Sequence, residues 1–327
     1  MCGQVGPGPP RAPASGYNAA LQKRHPGERV SGYSRQARGV FTFGMLAVNT
    51  VFWFVPLMTL ALLKLLLPVA VVRRGLTRGL MWIAENWIAV NALVLRGSGS
   101  REWRADGAVS LDRNGWYLVL ANHQSWVDIL VLQIALNRRI PLLKFFIKQQ
   151  LFWFPLLGLG FWALDMPFMK RHSPSYLARH PEKKGADLEA TRKACQKFRH
   201  TPTSVINFIE GTRFSEEKRI SRQSPYRHLL PPRAGGIAVA LSAMGEVFDA
   251  ILDVTIVYAD GPPKFWDTIC GEWVDVTLDI KVLPIDAAIA AGDYQNDREF
   301  RREVHRWLGK LWQEKDERIA EIESRVA

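Results

Sequence analysis

Cysteine is scarce in this chain. Its 327 residues hold three, Cys2, Cys195 and Cys270, far apart in sequence. They make neither a disulfide framework nor the paired spacing of a zinc site, which fits a reducing compartment. Acidic residues are also in short supply: 31 Asp and Glu stand against 43 Lys and Arg, leaving a net charge of +12. That balance points to an anionic partner such as a phospholipid surface, a nucleic acid or a phosphorylated substrate. The sequence has no G-x-S-x-G elbow, no H-E-x-x-H and no internal repeat. A serine or cysteine covalent mechanism, or a zincin-like zinc site, therefore lacks its parts.

Aromatic residues, by contrast, are plentiful, with 12 Trp and 16 Phe. Rings of this kind sit well at a membrane interface, so they favour a lipid surface among the anionic partners. Residues 1–38 are rich in glycine, proline, serine and basic residues, carry no hydrophobic periodicity, and are expected to be disordered. Val40 to Leu63 is uncharged and is followed by Lys64 and by the apolar Leu65–Val72. It exceeds the roughly 20 residues that a helix needs to cross a bilayer. Arginines flank both ends, Arg29, Arg35 and Arg38 before it and Arg73, Arg74 and Arg78 after it, so the charge rule gives no orientation. Pro56 and Pro68 can bend it. A true span and a half-inserted hairpin both fit. Leu80–Leu95 reads as a second helix that lies in the interface or closes the hairpin.

From about residue 100 short apolar runs alternate with helical or polar segments. Trp116–Ala121 has the length and content of a buried strand, and Ser125–Leu136 those of an apolar helix. Leu142–Phe161 mixes Phe145, Phe146, Phe152, Trp153 and Phe154 with Lys144 and Lys148. It reads as a buried helix with solvent-facing lysines, or as a surface dipping into lipid while its lysines meet phosphates. Phe161–Phe168 reads as a second strand, ending in Met169-Lys170-Arg171, and Ser204–Ile209 as a third, ending in Glu210-Gly211-Thr212-Arg213. A helix follows Ala234-Gly235-Gly236, Ile251–Tyr258 and Val274–Ile285 are further strands, and a charged C-terminal helix carries one apolar stripe, Phe300, Val304, Trp307, Leu308 and Leu311. The expected fold is α/β: a mostly parallel or mixed sheet flanked by helices, with an N-terminal membrane-associated helical segment. The chain divides into a basic N-terminus (1–38), anchoring helices (39–96), an α/β domain (97–295) and the C-terminal helix (296–327).

His123 stands where the first strand gives way to a helix, with Asp128 five residues on. In an ideal helix that offset turns about 500°, so the two would not share a face. If His123 is still in the loop, Asp128 can fold back onto the imidazole as its orienter. Asp128 also has the S-x-x-D spacing of a capping box with Ser125, and that role alone would account for it. In a parallel sheet, ligands bind outside the carboxyl ends of the strands. His123 with Asp128, Lys170 with Arg171, and Glu210-Gly211-Thr212-Arg213 each follow a strand, so all three groups fall on one edge. Arginines there suit a phosphate, because the guanidinium fork matches its oxygens.

These motifs resemble a known family. Asn122-His123-Gln124-Ser125-Trp126-Val127-Asp128 is similar to the N-H-x-x-x-x-D motif of the glycerolipid acyltransferases, the 1-acylglycerol-3-phosphate acyltransferase family. Phe208-Ile209-Glu210-Gly211-Thr212-Arg213 resembles its F-P-E-G-T-R block, with isoleucine for proline, and Phe168-Met169-Lys170-Arg171 resembles its F-I-D-R block, with lysine for aspartate. The family's last block, an apolar strand carrying a proline, has no proline in Val254-Thr255-Ile256-Val257. The resemblance covers roughly residues 95–285. It implies transfer of a fatty acyl group from acyl-CoA or acyl carrier protein to a lysophospholipid hydroxyl, with His123 as general base and Asp128 its orienter. It assigns Arg171, Glu210, Gly211, Thr212 and Arg213 to the glycerol phosphate; Lys170 and Arg233 join them as candidates. It implies no metal and no cofactor beyond the thioester co-substrate. The implied partners are the lysophospholipid acceptor, the donor and membrane phospholipid, with no nucleic acid, and the implied site is a membrane with the α/β domain on its cytoplasmic face. Two alternatives stay open: another acceptor such as lysophosphatidylglycerol, and a non-catalytic, membrane-anchored binder of anionic lipid.

Overall fold

The computed structural model describes residues 32–99, 103–106, 111–169, 179–180, 186–199, 201–290, 292, 294 and 296–326. Six strands form one mixed sheet in the spatial order β1 (Trp103–Asp106), β8 (Val276–Leu283), β7 (Ala250–Tyr258), β2 (Tyr117–Ala121), β6 (Ser204–Phe208), β3 (Leu143–Phe145). β7, β2, β6 and β3 run parallel; β8 pairs antiparallel with β7 and parallel with β1. β4 (Ile147–Lys148) and β5 (Phe168–Met169) form a separate two-stranded piece.

The central strand β2 is buried at every position, as an apolar run without alternation requires. Leu118 and Leu120 point to a cluster built on α5 (Ala186–Phe198), α7 (Ala234–Met244) and α10 (Arg298–Val326). Tyr117, Val119 and Ala121 point to the opposite cluster, built on α3 (Val127–Leu136). The C-terminal stripe does what its spacing predicted: Phe300, Val304, Leu308 and Leu311 all enter the first cluster.

Two helices precede the sheet. α1 (Gly32–Leu66) is long and apolar enough to cross a membrane, and α2 (Ala70–Ser98) folds back along it after a break at 67–69. Pro68 falls in that break, whereas Pro56 stays inside α1. The hairpin is tied together by a buried amide pair, Asn49 Nδ2 donating to Asn91 Oδ1 at 2.8 Å, and by Trp87 Nε1 donating to Thr50 Oγ1 at 3.1 Å. It is packed into the domain and is not merely tethered to it. Leu95 clusters with Ile269 and Trp273, and Asn137 Nδ2 donates to Glu85 O at 3.0 Å. α1 would reach about 50 Å at 1.5 Å per residue, yet both its ends are ion-paired to the same domain. Arg35 meets Asp267 at 2.6 Å and Glu272 at 2.5 Å, and Lys64 meets Asp165 at 2.6 Å. The opposite face is an exposed apolar stripe that includes Val40, Phe41, Val48, Phe52, Val55, Leu62 and Leu66.

Two expected elements are different. Leu142–Phe161 is not one helix: it holds β3, β4, a 3₁₀ turn (Gln149–Trp153) and the start of α4 (Leu157–Ala163). Phe161–Phe168 is not a strand: its first half ends α4 and only Phe168 enters β5. Short apolar runs do not distinguish helix from strand by period, and Pro155 and Pro167 cut these runs where the elements change. Lys144 misled most. It is buried in β3, with Nζ donating to Leu164 O and lying 5.4 Å from the centre of the Phe198 ring. Burial, opposed by Asp165 and aided by Lys64, lowers its pKa to about 8.

The site begins where β2 stops. Ala121 is the last paired residue, opposite Val254, while β7 runs on to Tyr258. The Asn122 side chain continues the pairing that its backbone abandons: Nδ2 donates to Ile256 O at 2.9 Å and Oδ1 accepts from Ile256 N at 2.8 Å. The main chain is thereby free to turn at the next residue. Asn122→Ala strands a buried donor and a buried acceptor, each costing about 1–3 kcal/mol. A loss of about 2–6 kcal/mol is expected in chemical unfolding of the detergent-solubilised protein.

Candidate active site

His123 is held at both backbone groups. Its N–H donates to Glu210 Oε1 at 2.9 Å, and its carbonyl accepts from Phe214 N at 2.7 Å. Its ring lies on Phe208, centroids 4.0 Å apart and planes 17° apart. Nδ1 is 2.8 Å from Asp128 Oδ2. In the neutral ring a carboxylate at Nδ1 favours the tautomer with the proton on that nitrogen and the lone pair on Nε2. No described residue engages Nε2, and the side chain keeps a small exposed area.

Asp128 is fully buried and its carboxylate gathers four donors. Oδ2 accepts from Gln124 N at 2.6 Å and Ser125 N at 2.9 Å as well as from the imidazole, and Oδ1 accepts from Tyr258 Oη at 2.6 Å. The capping and orienting roles are therefore one arrangement. The same oxygen that stops the loop amides also holds the ring. Ser125 Oγ supports the turn in its own way, accepting from Val127 N at 3.1 Å and donating to Pro263 O at 2.6 Å. Burial, then the charge and hydrogen bond of Asp128, hold the Tyr258 phenol well above its ordinary pKa, so it stays a donor.

β6 supplies the second motif. Phe208 lies beside Ala121 in the register, which brings Glu210 beside His123. The motif implies that Glu210 meets the substrate; in the structure its carboxylate lies under the histidine loop. Glu210 is fully buried and spends both oxygens on backbone amides, His123 N and Leu230 N at 3.0 Å, so it braces the histidine loop. Gly211 turns with φ +69°, a left-handed conformation that suits glycine, and a Cβ there would come 3.0 Å from Arg233 Cδ. Arg233 is thus drawn over the turn, its own N–H donating to Ile209 O at 2.9 Å. Thr212 Oγ1 and Arg213 O both accept from Lys218 Nζ, at 3.1 and 2.8 Å. The exposed Arg213 guanidinium stands 4.8 Å from the Trp126 ring centre.

The described structure therefore brings His123, Asp128, Glu210, Gly211, Thr212, Arg213 and Arg233 to one sheet edge. Lys170 and Arg171 lie outside the described residues. The strand before them, β5, belongs to the separate two-stranded piece, and β7 is the third strand that contributes at this edge, through Tyr258. Sequence reasoning missed Asn122, Phe208, Trp126, Lys218 and Tyr258 as parts of the site. Asn122, Trp126 and Phe208 were inside the quoted motifs. Tyr258 had one signal, a phenol at the carboxyl end of an apolar strand. Cys195 is buried, its thiol pushed up to about 12, so it offers no nucleophile.

Residues 104–259 match the family model described as Acyltransferase. The mouse 1-acyl-sn-glycerol-3-phosphate acyltransferase epsilon is 25% identical over 229 residues, covering 63% of this chain and 57% of that protein. The human 1-acyl-sn-glycerol-3-phosphate acyltransferase delta is 27% identical over 213 residues, covering 61% of this chain and 51% of its own length. The chain thus spans about half the length of the curated relatives it matches. The crystal structure of the 1-acyl-sn-glycerophosphate (LPA) acyltransferase from Thermotoga maritima is 16% identical, with a TM-score of 0.47, covering 85% of this chain and 97% of that one. The histidine–aspartate edge lies within the residues that match the Acyltransferase model. Residues 104–259 are thus similar to the Acyltransferase family, and the chain is similar over three fifths of its length to 1-acyl-sn-glycerol-3-phosphate acyltransferases.

Two outcomes follow from the buried carboxylates. Asp128→Asn loses charge assistance to four donors at once. It is expected to destabilise the fold by about 1.5–3 kcal/mol in chemical unfolding, as well as to disorient the imidazole. Glu210 titrates differently. Burial pushes its pKa from 4.5 up to about 7; Asp128 adds to the rise, and the His123 and Leu230 amides and Lys315 oppose it. Between those two pH values the folded state holds the proton that the unfolded state has lost. Its contribution to stability therefore falls as pH rises through that window and levels off above it, by on the order of 3 kcal/mol. Glu210→Gln cannot titrate, and its amide opposes one of the two N–H groups at every pH. The wild-type advantage over Glu210→Gln should shrink from pH 4.5 to 7, read from unfolding curves of both proteins across that range.

Proposed function

We propose that this protein transfers a fatty acyl group from a thioester, acyl-CoA or acyl carrier protein, to the free hydroxyl of 1-acylglycerol-3-phosphate, giving phosphatidic acid. One observation carries the reading: an imidazole with Nδ1 tied to a buried carboxylate and Nε2 unengaged, at the edge where a parallel sheet places its ligands. Nε2 takes the hydroxyl proton as the acceptor oxygen attacks the thioester carbonyl. The tetrahedral adduct then collapses, the carbon–sulfur bond breaks, and the imidazolium returns its proton to the departing thiolate. General-base assistance of this kind typically supplies about 10²–10⁴-fold in rate. Asp128 holds the ring and balances its transient charge, and Tyr258 holds Asp128.

The acceptor's phosphate is assigned to Arg171 and Arg213, with Thr212 and Arg233 alongside and Gly211 giving close approach. Trp126 beneath Arg213 keeps the guanidinium extended towards the edge. Glu210 acts through His123. The membrane part of the reading follows from the hairpin. A spanning helix would separate its two ends, but both ends of α1 are ion-paired to one domain while its apolar stripe faces outwards. We assign α1 to the plane of the interface, with Trp153 and Phe154, also exposed, dipping beside it and the domain on the cytoplasmic side.

The test is a two-substrate assay with labelled acyl-CoA and lysophosphatidic acid, phosphatidic acid being the product scored. His123→Ala should abolish turnover without loss of folding. Arg213→Ala should raise the acceptor KM about tenfold, since a surface cation's share is modest, and lysine should rescue it only in part. The donor KM should move little. Turnover with lysophosphatidylglycerol exceeding that with lysophosphatidic acid would reassign the acceptor, and turnover unchanged in His123→Ala would remove the mechanism.

A further inference from the structure

The seam between the helical hairpin and the α/β domain opens into a groove of about 440 Å³, within the usual range for small-molecule sites. Its lining comes from both sides. Lys64 and Arg73 belong to the hairpin, Lys193 and Lys197 to α5, and Trp162 and Phe168 form part of an apolar floor. One carboxylate, Asp165, faces these four cations and is already paired with Lys64 at 2.6 Å. Lys193 is 3.8 Å from Glu189, but both side chains are mostly exposed, and such a pair contributes little. Arg73 and Lys197 have no carboxylate partner among the described residues. Like charges gathered around an apolar floor repel one another unless an anion joins them.

The neighbourhood identifies the source of the anion. Leu65 lines the groove and is 59% exposed, and Leu62 and Leu66 beside it belong to the outward apolar stripe of α1. The groove is therefore continuous with the surface that meets lipid tails. Of the residues lining it, Met166 and Phe168 pack into the same apolar cluster as Phe145 and Phe208, and Phe208 is the ring stacked on His123. A ligand suited to these surroundings has a compact, multiply charged head and one aliphatic chain.

We propose that this groove is a lipid-phosphate site distinct from the His123 edge. It holds a single-chain, phosphate-headed lipid with the phosphate among Arg73, Lys193 and Lys197 and the chain along Trp162 and Phe168. It stages lipid from the membrane surface close to the acyl-transfer edge; that staging role, unlike the binding itself, rests on the acyl-transfer reading.

The experiment is photo-crosslinking on the full chain in nonionic detergent, made in the His123→Ala background so that turnover plays no part. The probe is a single-chain alkyl phosphate carrying a diazirine in its chain, with the matching uncharged glycerol ether as control and peptide mapping as the readout. The expected result is label on the Trp162–Phe168 segment from the phosphate probe and not from the control. Labelling there should fall roughly tenfold in the triple variant Arg73→Ala/Lys193→Ala/Lys197→Ala, in keeping with the loss of three surface charges. The charge-keeping Arg73→Lys/Lys193→Arg/Lys197→Arg should retain it, separating charge from folding. Equal labelling by the uncharged control, or no change in the triple alanine variant, would overturn the proposal. Displacement of the probe by inorganic phosphate as effectively as by unlabelled alkyl phosphate would make this a free-phosphate site and overturn the lipid assignment. If the groove labels as expected while no acceptor supports acyl transfer, the site stands and only the staging role falls.

Discussion

A single buried carboxylate organises the His123 edge. Asp128 has no contact with solvent, and a charge in that position is tolerated only if its oxygens are satisfied. Four donors satisfy them, and they come from two places in the chain: the loop residues His123, Gln124 and Ser125, and Tyr258 at the far end of β7. The burial that makes the anion costly is the condition that makes it useful. A carboxylate screened from water holds one imidazole tautomer in one orientation, and the same hydrogen bonds close the first turn of the helix behind it.

Further charges are buried beneath this edge. Glu210 links the histidine loop to the chain at Leu230, and Lys315 of the C-terminal helix reaches under β7, 2.8 Å from Asp253 and 2.6 Å from Val254 O. Burial lowers the pKa of Lys315 while Asp253, Asp279 and Glu210 oppose that change. The packing of α10 on the sheet therefore does more than cover apolar surface. It brings a buried lysine under the strand whose end holds Tyr258, so the C-terminal helix and the site are built on the same strand.

The hairpin shows how an apolar helix can be built into a domain. Its inner face is specified by a few polar groups, Asn49 with Asn91 and the ion pairs at Arg35 and Lys64, and its outer face is left as an exposed apolar stripe. Hydropathy sees the helix as one long apolar run because it counts composition and not direction. The ion pairs at its two ends, which hydropathy cannot see, tie both ends to one domain.

Much of this could be read from residues alone. The unbroken apolar run of β2, the N-H-x-x-x-x-D spacing, the E-G-T-R turn and the stripe Phe300–Leu311 each follow from local rules of burial, period and turn chemistry, and each appears where those rules put it. What the sequence did not determine was whatever depended on partners distant along the chain. Lys144 looked like a solvent-facing or phosphate-facing lysine until Leu164 and Phe198 were seen beside it. Nothing in the E-G-T-R spacing showed that the Glu210 oxygens would lie on backbone amides 87 and 20 residues away. Tyr258 was an unremarked strand end until β7 was seen to outrun β2, which carries its phenol across 130 residues of chain to Asp128. Residue type and spacing determined which chemistry was available. Strand register and burial decided which groups touch, because a hydrogen bond depends on distance in space and leaves no period in the sequence.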